Sequence, residues 1–137
     1  MDLGHWILED NVKLEEETFG FIYCILNKLN GKKYFGKKQC SFKIRKKPLK
    51  GKKRVRISQK KSDWQTYTGS CKKLNDDIKE YGIENFTLKI IKACCSKSEL
   101  MYNEAKILFD NEVLFSNLYY NDNIHCRLHK VKTVDVQ

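Results

Sequence analysis

No apolar run in this chain approaches the roughly 18–20 residues that a membrane-spanning helix needs, so a membrane protein is not expected. The opening residues, Met1-Asp2-Leu3-Gly4-His5, lack a basic stretch followed by an apolar one, which argues against a secretory leader. The six cysteines (Cys24, Cys40, Cys71, Cys94, Cys95 and Cys126) contain no Cys-x-x-Cys pair, and adjacent Cys94 and Cys95 alternate faces if they lie in a strand. That spacing supports neither a structural zinc site nor a disulfide framework, and the thiols read as reduced, in a cytoplasmic compartment. No internal repeat is visible. Acidic residues are missing altogether between Lys37 and Lys61.

That last gap is filled with positive charge. The stretch holds 13 Lys or Arg, and outside it 14 basic residues face 17 acidic ones, leaving about −3. The net charge of +10 is therefore one local feature. Concentrated positive charge attracts a polyanion by releasing its condensed counterions, which suits nucleic acid. The bland alternative is a solvated loop or a localisation signal. A length of 137 residues fits one domain, and a hydrophobic fraction of 41% is enough to give it a core rather than leave it disordered.

Three regions are expected. Residues 1–18 form an acidic N-terminal arm, with Asp2, Glu9, Asp10, Glu15, Glu16 and Glu17 against Lys13 alone; the arm is a leader, or it folds over the basic segment and competes with nucleic acid. Residues 19–125 form the domain proper, and 126–137 a tail. Within the domain, residues 19–26 are almost continuously apolar and read as a buried strand. Asn30-Gly31 signals a tight turn, and residues 32–36 complete a hairpin. Residues 37–66 are polar, basic and broken by Pro48 and Gly51, which predicts a long loop insertion. Ser70 is placed to cap a helix carrying Leu74, Ile78 and Tyr81 and ending at Gly82. Phe86, Leu88 and Ile90 alternate with polar residues as in a half-buried strand. Ser96 or Ser98 opens a second helix reaching about Asp110. The order β-β-α-β-α predicts an α+β fold, a small antiparallel three-stranded sheet flanked by helices.

Two groups could carry chemistry. A four-residue loop at 28–31 would set Tyr23 opposite Gly36 and Tyr34 opposite Ile25; a two-residue loop changes the partners but keeps the faces. Both phenols then share one surface, beside a glycine that leaves room for a backbone phosphate. A phenol is a poor base at neutral pH unless nearby cations favour the phenolate, and the basic residues after Gly36 could supply that field. Both could equally be ordinary strand aromatics. On the second helix Glu104 aligns with Leu100 and Leu108, and a carboxylate bordering an apolar stripe is unusual unless paired or bound to a cation. One carboxylate with waters and a substrate phosphate is a common way to hold Mg²⁺, although a boundary glutamate reaching solvent fits as well.

Gly20-Phe21-Ile22-Tyr23, followed eleven residues on by Tyr34-Phe35-Gly36, resembles the paired signature of the GIY-YIG nucleases. Residues 100–104 resemble the family helix that bears the metal-binding glutamate, and Tyr120-Asn121 resembles its closing element. Ser62-Asp63-Trp64, Tyr67-Thr68-Gly69-Ser70 and the run from Ile78 to Phe86 are similar to phage-type homing endonucleases of the family. The resemblance covers roughly residues 19–125, and its strength lies in the ordered set rather than in any one tripeptide. It implies that Tyr23, assisted by Tyr34, activates a water, that Glu104 binds one Mg²⁺ or Mn²⁺, and that Asn121 positions the backbone near the metal, with Asn117 competing for that role. Products would carry 5′-phosphate and 3′-hydroxyl ends. Two departures stand out: Phe35 replaces the signature isoleucine, and Ile44 sits where the family arginine is usual. Lys37 or Arg45, with Lys38 also near the hairpin, would then stabilise phosphate charge.

The expected function is a metal-dependent DNA endonuclease without a small-molecule cofactor. Its phosphates would be gripped by Gly36, Lys38, Lys43, Lys46, Lys47, Lys50, Lys52, Lys53, Arg54 and Arg56. Target recognition would come from the insertion, the arm, a partner or homodimerisation. The alternatives are a module of the same fold that binds nucleic acid without cutting it, and an RNA nuclease. Cutting requires the two phenols and the carboxylate to converge; without that, what is left is a compact cationic protein that binds polyanions.

Overall fold

The apolar run from Phe21 to Leu26 makes strand β2 (Gly20–Asn27) the centre of a sheet, with residues buried on both of its faces. The structure, a computed structural model, describes residues 2–46, 48–54 and 56–131, and only the backbone of residues 41–46 and 56–61. After β2 the Asn27 carbonyl accepts from Gly31 N–H at 2.8 Å, and Gly31 takes φ +76°, the left-handed region that glycine enters without a side-chain penalty. The chain returns as β3 (Lys33–Gln39), antiparallel to β2. On the other side of β2 lies β6 (Phe86–Cys94), also antiparallel. The ladder slips by one residue between Ile22 and Tyr23, a bulge that sits just where Tyr23 is aimed.

The sheet has four strands, not three, and is not wholly antiparallel. β1 (Ile7–Leu8) pairs in parallel with β6, giving the order β1-β6-β2-β3. It comes from the acidic arm, and the reason is Trp6. That ring is 3% exposed, packs on Phe21 and Tyr23, and donates its indole N–H to the Trp64 carbonyl. Burying so large an aromatic outweighs the charge of its neighbours. β1 lies at the sheet edge opposite β3, so the arm begins as part of the core.

The basic stretch also departs from a plain loop. β3 runs on to Gln39, and β4 (Ser41–Lys46) pairs antiparallel with β5 (Arg56–Lys61) in a separate two-stranded ribbon. Phe42 and Ile44 alternate with Lys43 and Arg45, a strand period masked in the sequence by its charge. A short 3-10 turn, Trp64–Thr66, follows.

Helix α1 (Lys72–Tyr81) ends at Gly82, whose φ is +89° and whose N–H reaches the Ile78 carbonyl. Its N-cap is Cys71, with no capping side chain, so Ser70 is not the cap. Helix α2 (Lys97–Asp110) is capped by Ser96, which accepts from Glu99 N–H. The helices flank the sheet. On the α1 side Phe21, Tyr23, Ile25, Leu88 and Ile90 pack with Leu74, Trp6 and Trp64. On the α2 side Ile22 and Cys94 pack with Leu100, and Phe35 packs with Leu108 and Val113. Gly20 allows this closeness, because an added Cβ would meet Leu100 Cδ2 at 2.8 Å. Among the described residues no helix is long and apolar enough to cross a membrane.

Candidate active site

The β2–β3 register pairs Tyr23 with Gly36 and Ile25 with Tyr34, the partners expected of a four-residue loop. Opposed residues share a face, so both phenols stand on the α1 side with ring centroids 6.1 Å apart. Gly36 is there for space: an added Cβ would fall on the Tyr23 hydroxyl and ring end. From the loop above, Gly69 closes on the same group. Its φ is +84°, and a Cβ would meet Tyr23 Oη at 3.0 Å and Tyr34 Cε1 at 3.2 Å. Two glycines therefore bracket the Tyr23 hydroxyl, while Trp6 and Tyr67 pack against its ring.

Glu104 comes from the other side. Lys37 pairs with Ile22, so it stands on the α2 face, where its Nζ lies 3.0 Å from Glu104 Oε1. By register alone the carboxylate and the phenols occupy opposite faces. Tyr34 and Glu104 nevertheless line one cavity, at the edge strand β3. A cavity of about 520 Å³ wraps around that edge, and its wall includes Tyr34, Lys37, Ser70, Glu104, Asn121 and His125. Tyr23 is not in the wall; it is 1% exposed and sits behind Gly36. Of the two phenols, Tyr34 faces the space.

The field around the phenols is the reverse of the one expected. Burial pushes the Tyr23 hydroxyl well above the usual tyrosine value, and the neighbouring Tyr34, Tyr67 and Glu104 push the same way. Tyr34 is also raised, chiefly by burial, with a hydrogen bond to Ser70 pulling it back. The reason is where the lysines point. Lys37 is on the opposite face, and Lys38, which does share the tyrosine face, is held by Asp63 at 3.0 Å and lies 4.2 Å above the Tyr67 ring. Both phenols are therefore neutral at physiological pH.

The remaining sequence-derived candidates divide in three. Asn121 lines the cavity, but its amide is engaged: Nδ2 donates to the Phe35 carbonyl and Oδ1 accepts from Phe35 N–H. It props the edge of β3 from outside. Lys50, Lys52, Lys53 and Arg54 are exposed between β4 and β5. The side chains of Lys43, Arg45, Lys46 and Arg56, and all of Lys47, lie outside the described residues.

Sequence reasoning missed the loop over the tyrosines. Asn75, on α1, donates to the Gly69 and Cys71 carbonyls, both at 3.0 Å, and accepts from Thr68 Oγ1 at 2.5 Å. This clamp places Ser70 against Tyr34 and sets Lys72 and Lys73 in the cavity wall. A polar residue facing back along the first turn of a helix was the available signal. Tyr120, noted for its signature, ties Asn27 to Asp77 through its hydroxyl, which accepts from the first at 3.0 Å and donates to the second at 2.6 Å.

A single carboxylate in a wet cavity, with room for waters and a phosphate, is a donor set that a hard divalent ion accepts. Among the described residues no group of three or more His, Cys, Asp or Glu could hold a metal by itself, so Glu104 would need solvent or substrate oxygens to complete the shell. Comparison of the whole chain with known proteins returned no curated protein and no solved structure as a match. Residues 6–124 match the family described as "Putative endonuclease segE, GIY-YIG domain", a span that starts at the buried Trp6 and takes in both tyrosines, Glu104 and Asn121. The chain belongs to the SegE-type GIY-YIG endonuclease family.

Proposed function

We propose that this protein is a metal-dependent endonuclease that hydrolyses DNA phosphodiester bonds at the edge of β3. The observation that carries the proposal is one cavity walled by a neutral phenol, a carboxylate and several ammonium groups, namely Tyr34, Glu104, Lys37, Lys72 and Lys73. Such a wall offers each charge in a scissile phosphate a partner.

In this scheme the incoming phosphodiester lies along the cavity with Lys72 and Lys73 against neighbouring phosphates. Tyr34, as a neutral phenol, orients the attacking water; Ser70 fixes the rotation of its hydroxyl. Tyr23 acts through Tyr34, whose ring it backs beneath Gly69, and is a positioning residue. Lys37 leaves Glu104 and turns its ammonium to the phosphate, where it supplies the positive charge otherwise given by the family arginine. Glu104 would hold a Mg²⁺ or Mn²⁺ ion, which when bound supplies Lewis acidity at the phosphate and a stabilised leaving oxygen. Asn121 keeps the edge strand in place while these groups exchange partners.

The test is cutting of duplex DNA with Mg²⁺ or Mn²⁺, comparing the natural chain with Glu104→Ala. Loss of products in the variant supports the assignment; equal cutting by both sinks it. A second function has its own observation in favour. Lys37 already neutralises Glu104 at 3.0 Å, as it would in a module that binds nucleic acid without cutting. That alternative expects salt-sensitive binding and no products with either ion. Matched DNA and RNA substrates in the same assay separate a DNA nuclease from an RNA nuclease.

A further inference from the structure

The β4–β5 ribbon stands outside the main sheet, and both of its legs lead into the cavity walls. β3, with Tyr34, Gly36 and Lys37, runs into β4 through Cys40 alone. β5 runs through Ser62 and the Trp64–Thr66 turn into the loop that carries Gly69 and Ser70. The base is pinned by three hydrogen bonds. Cys40 N–H donates to the Phe19 carbonyl at 2.9 Å, Ser62 N–H donates to the Cys40 carbonyl at 3.0 Å, and Ser62 Oγ donates to the Gln39 carbonyl at 2.5 Å. These bonds tie the foot of the ribbon to the end of β3 and to the residue before β2.

Its dimensions and chemistry fit one partner. Six-residue strands at about 3.3 Å per residue reach about 20 Å, and two strands about 5 Å apart enter a major groove about 12 Å wide. Each strand carries three basic residues, neither carries an acid, and Lys50, Lys52, Lys53 and Arg54 are exposed between them. The register divides the ribbon into two unlike faces. On one face Lys43 opposes Gln59 and Arg45 opposes Ile57, and on the other Phe42 opposes Lys60, Ile44 opposes Ser58 and Lys46 opposes Arg56. Both faces carry basic residues, but the first alone adds Gln59, so it joins Arg or Lys for guanine O6 and N7 to Gln for adenine N6 and N7.

We infer that the β4–β5 ribbon is the sequence-reading element of this nuclease and lies in the major groove of duplex DNA, with the Lys43–Arg45–Gln59 face toward the bases. The inference rests on the chain acting on DNA, but not on its cutting. Charge on the connecting residues grips the flanking phosphates and supplies affinity, and the face of the ribbon supplies preference.

The experiment separates the two. Random-sequence duplexes are selected for binding in EDTA, where no cutting is needed, and the selected sequence is treated with dimethyl sulfate, which methylates guanine N7 in the major groove and adenine N3 in the minor. The expected result is a selected guanine whose N7 methylation weakens binding about tenfold or more, with adenine N3 methylation having little effect. Arg45→Gln and Gln59→Ala should relax the selected preference, while joint Lys50→Gln and Lys52→Gln should weaken all sequences alike and flatten the salt dependence. Interference confined to adenine N3, absence of any selected sequence, or preferential binding of single strands would each overturn the inference. Since the natural chain gives the interference pattern, a variant that fails to fold does not leave the question open. Failure to cut in Mg²⁺ would remove the nuclease function and leave this result standing.

Discussion

The Tyr23 phenol stands in the space where a side chain on Gly36 would stand. Gly36 sits between Tyr34 and Lys37, both in the cavity wall, and its missing side chain leaves Tyr23 room to pack behind that wall.

Gly36→Ala should therefore lower stability by about 1–3 kcal/mol, the usual cost of overpacking, and reduce cutting as well. Adding Tyr23→Phe removes the oxygen nearest the new methyl. The double variant is expected to be less destabilised than the two single effects combined, as read from urea unfolding. Strict additivity would show that the two residues do not compete for one space.

The Lys37–Glu104 pair gives opposite outcomes for the two candidate functions. In the nuclease, Glu104→Gln loses about 100-fold or more in kcat, the scale of several kcal/mol of transition-state charge stabilisation, with the melting temperature nearly unchanged. Lys37→Met should lower kcat while also lowering the Mg²⁺ concentration for half-maximal rate, because the carboxylate is no longer paired. If Lys37→Met leaves kcat intact, the ammonium has no part in the chemistry.

How far this arrangement could be read from residues alone depends on how local each signal is. That Tyr23 and Tyr34 share a face was legible from the period of two, while the partners stayed open between a four-residue and a two-residue loop, and the structure has those of the first. The Ser96 cap and α2 were legible for the same reason, a short pattern repeated. β1 is two residues long and carries no pattern; only the burial of Trp6, fixed by partners 15 and more positions away, makes it a strand. The field at the tyrosines was misread because two adjacent lysines in a strand point to opposite faces, and Lys38 found Tyr67 and Asp63 instead. The ribbon was hidden by its own charge.

Buried acids make stability fall at high pH. Burial pushes the Cys40 thiol up to about 11 and Cys94 to about 12, and holds Tyr23 above the usual tyrosine value. Below about pH 8 all three are almost wholly protonated in folded and unfolded chains, so the fold's preference for the protonated form is fully present. As pH rises past about 9 the unfolded chain sheds its thiol protons first, and past about 10 its phenol protons. The unfolded state then binds fewer protons and ΔG of unfolding declines until the folded groups titrate. Urea midpoints at pH 8 and pH 10.5 should show this decline, and it should be shallower in Cys94→Ala and Tyr23→Phe. Equal slopes in all three proteins would refute the assignment.

Asn75 touches no expected substrate, yet Asn75→Ala should cut activity by releasing the loop that carries Gly69 and Ser70. The stability cost is about 1–3 kcal/mol, chiefly for the Gly69 carbonyl left without a donor, since the Cys71 carbonyl keeps the Asn75 backbone N–H. Asn75→Asp should not rescue it, since the lost contacts are donated by Nδ2 to the Gly69 and Cys71 carbonyls. A crystal structure or amide exchange on residues 67–71 distinguishes the released loop from global unfolding.

The end of the chain also bears on how copies of this protein meet. An open strand edge invites the backbone of another molecule, the first step of sheet-to-sheet aggregation. On β3 the outward amide groups of Lys33 are taken by Leu118 and Tyr120, and those of Phe35 by the Asn121 side chain. Over Lys33 to Phe35 a neighbouring molecule therefore finds no free ladder to extend.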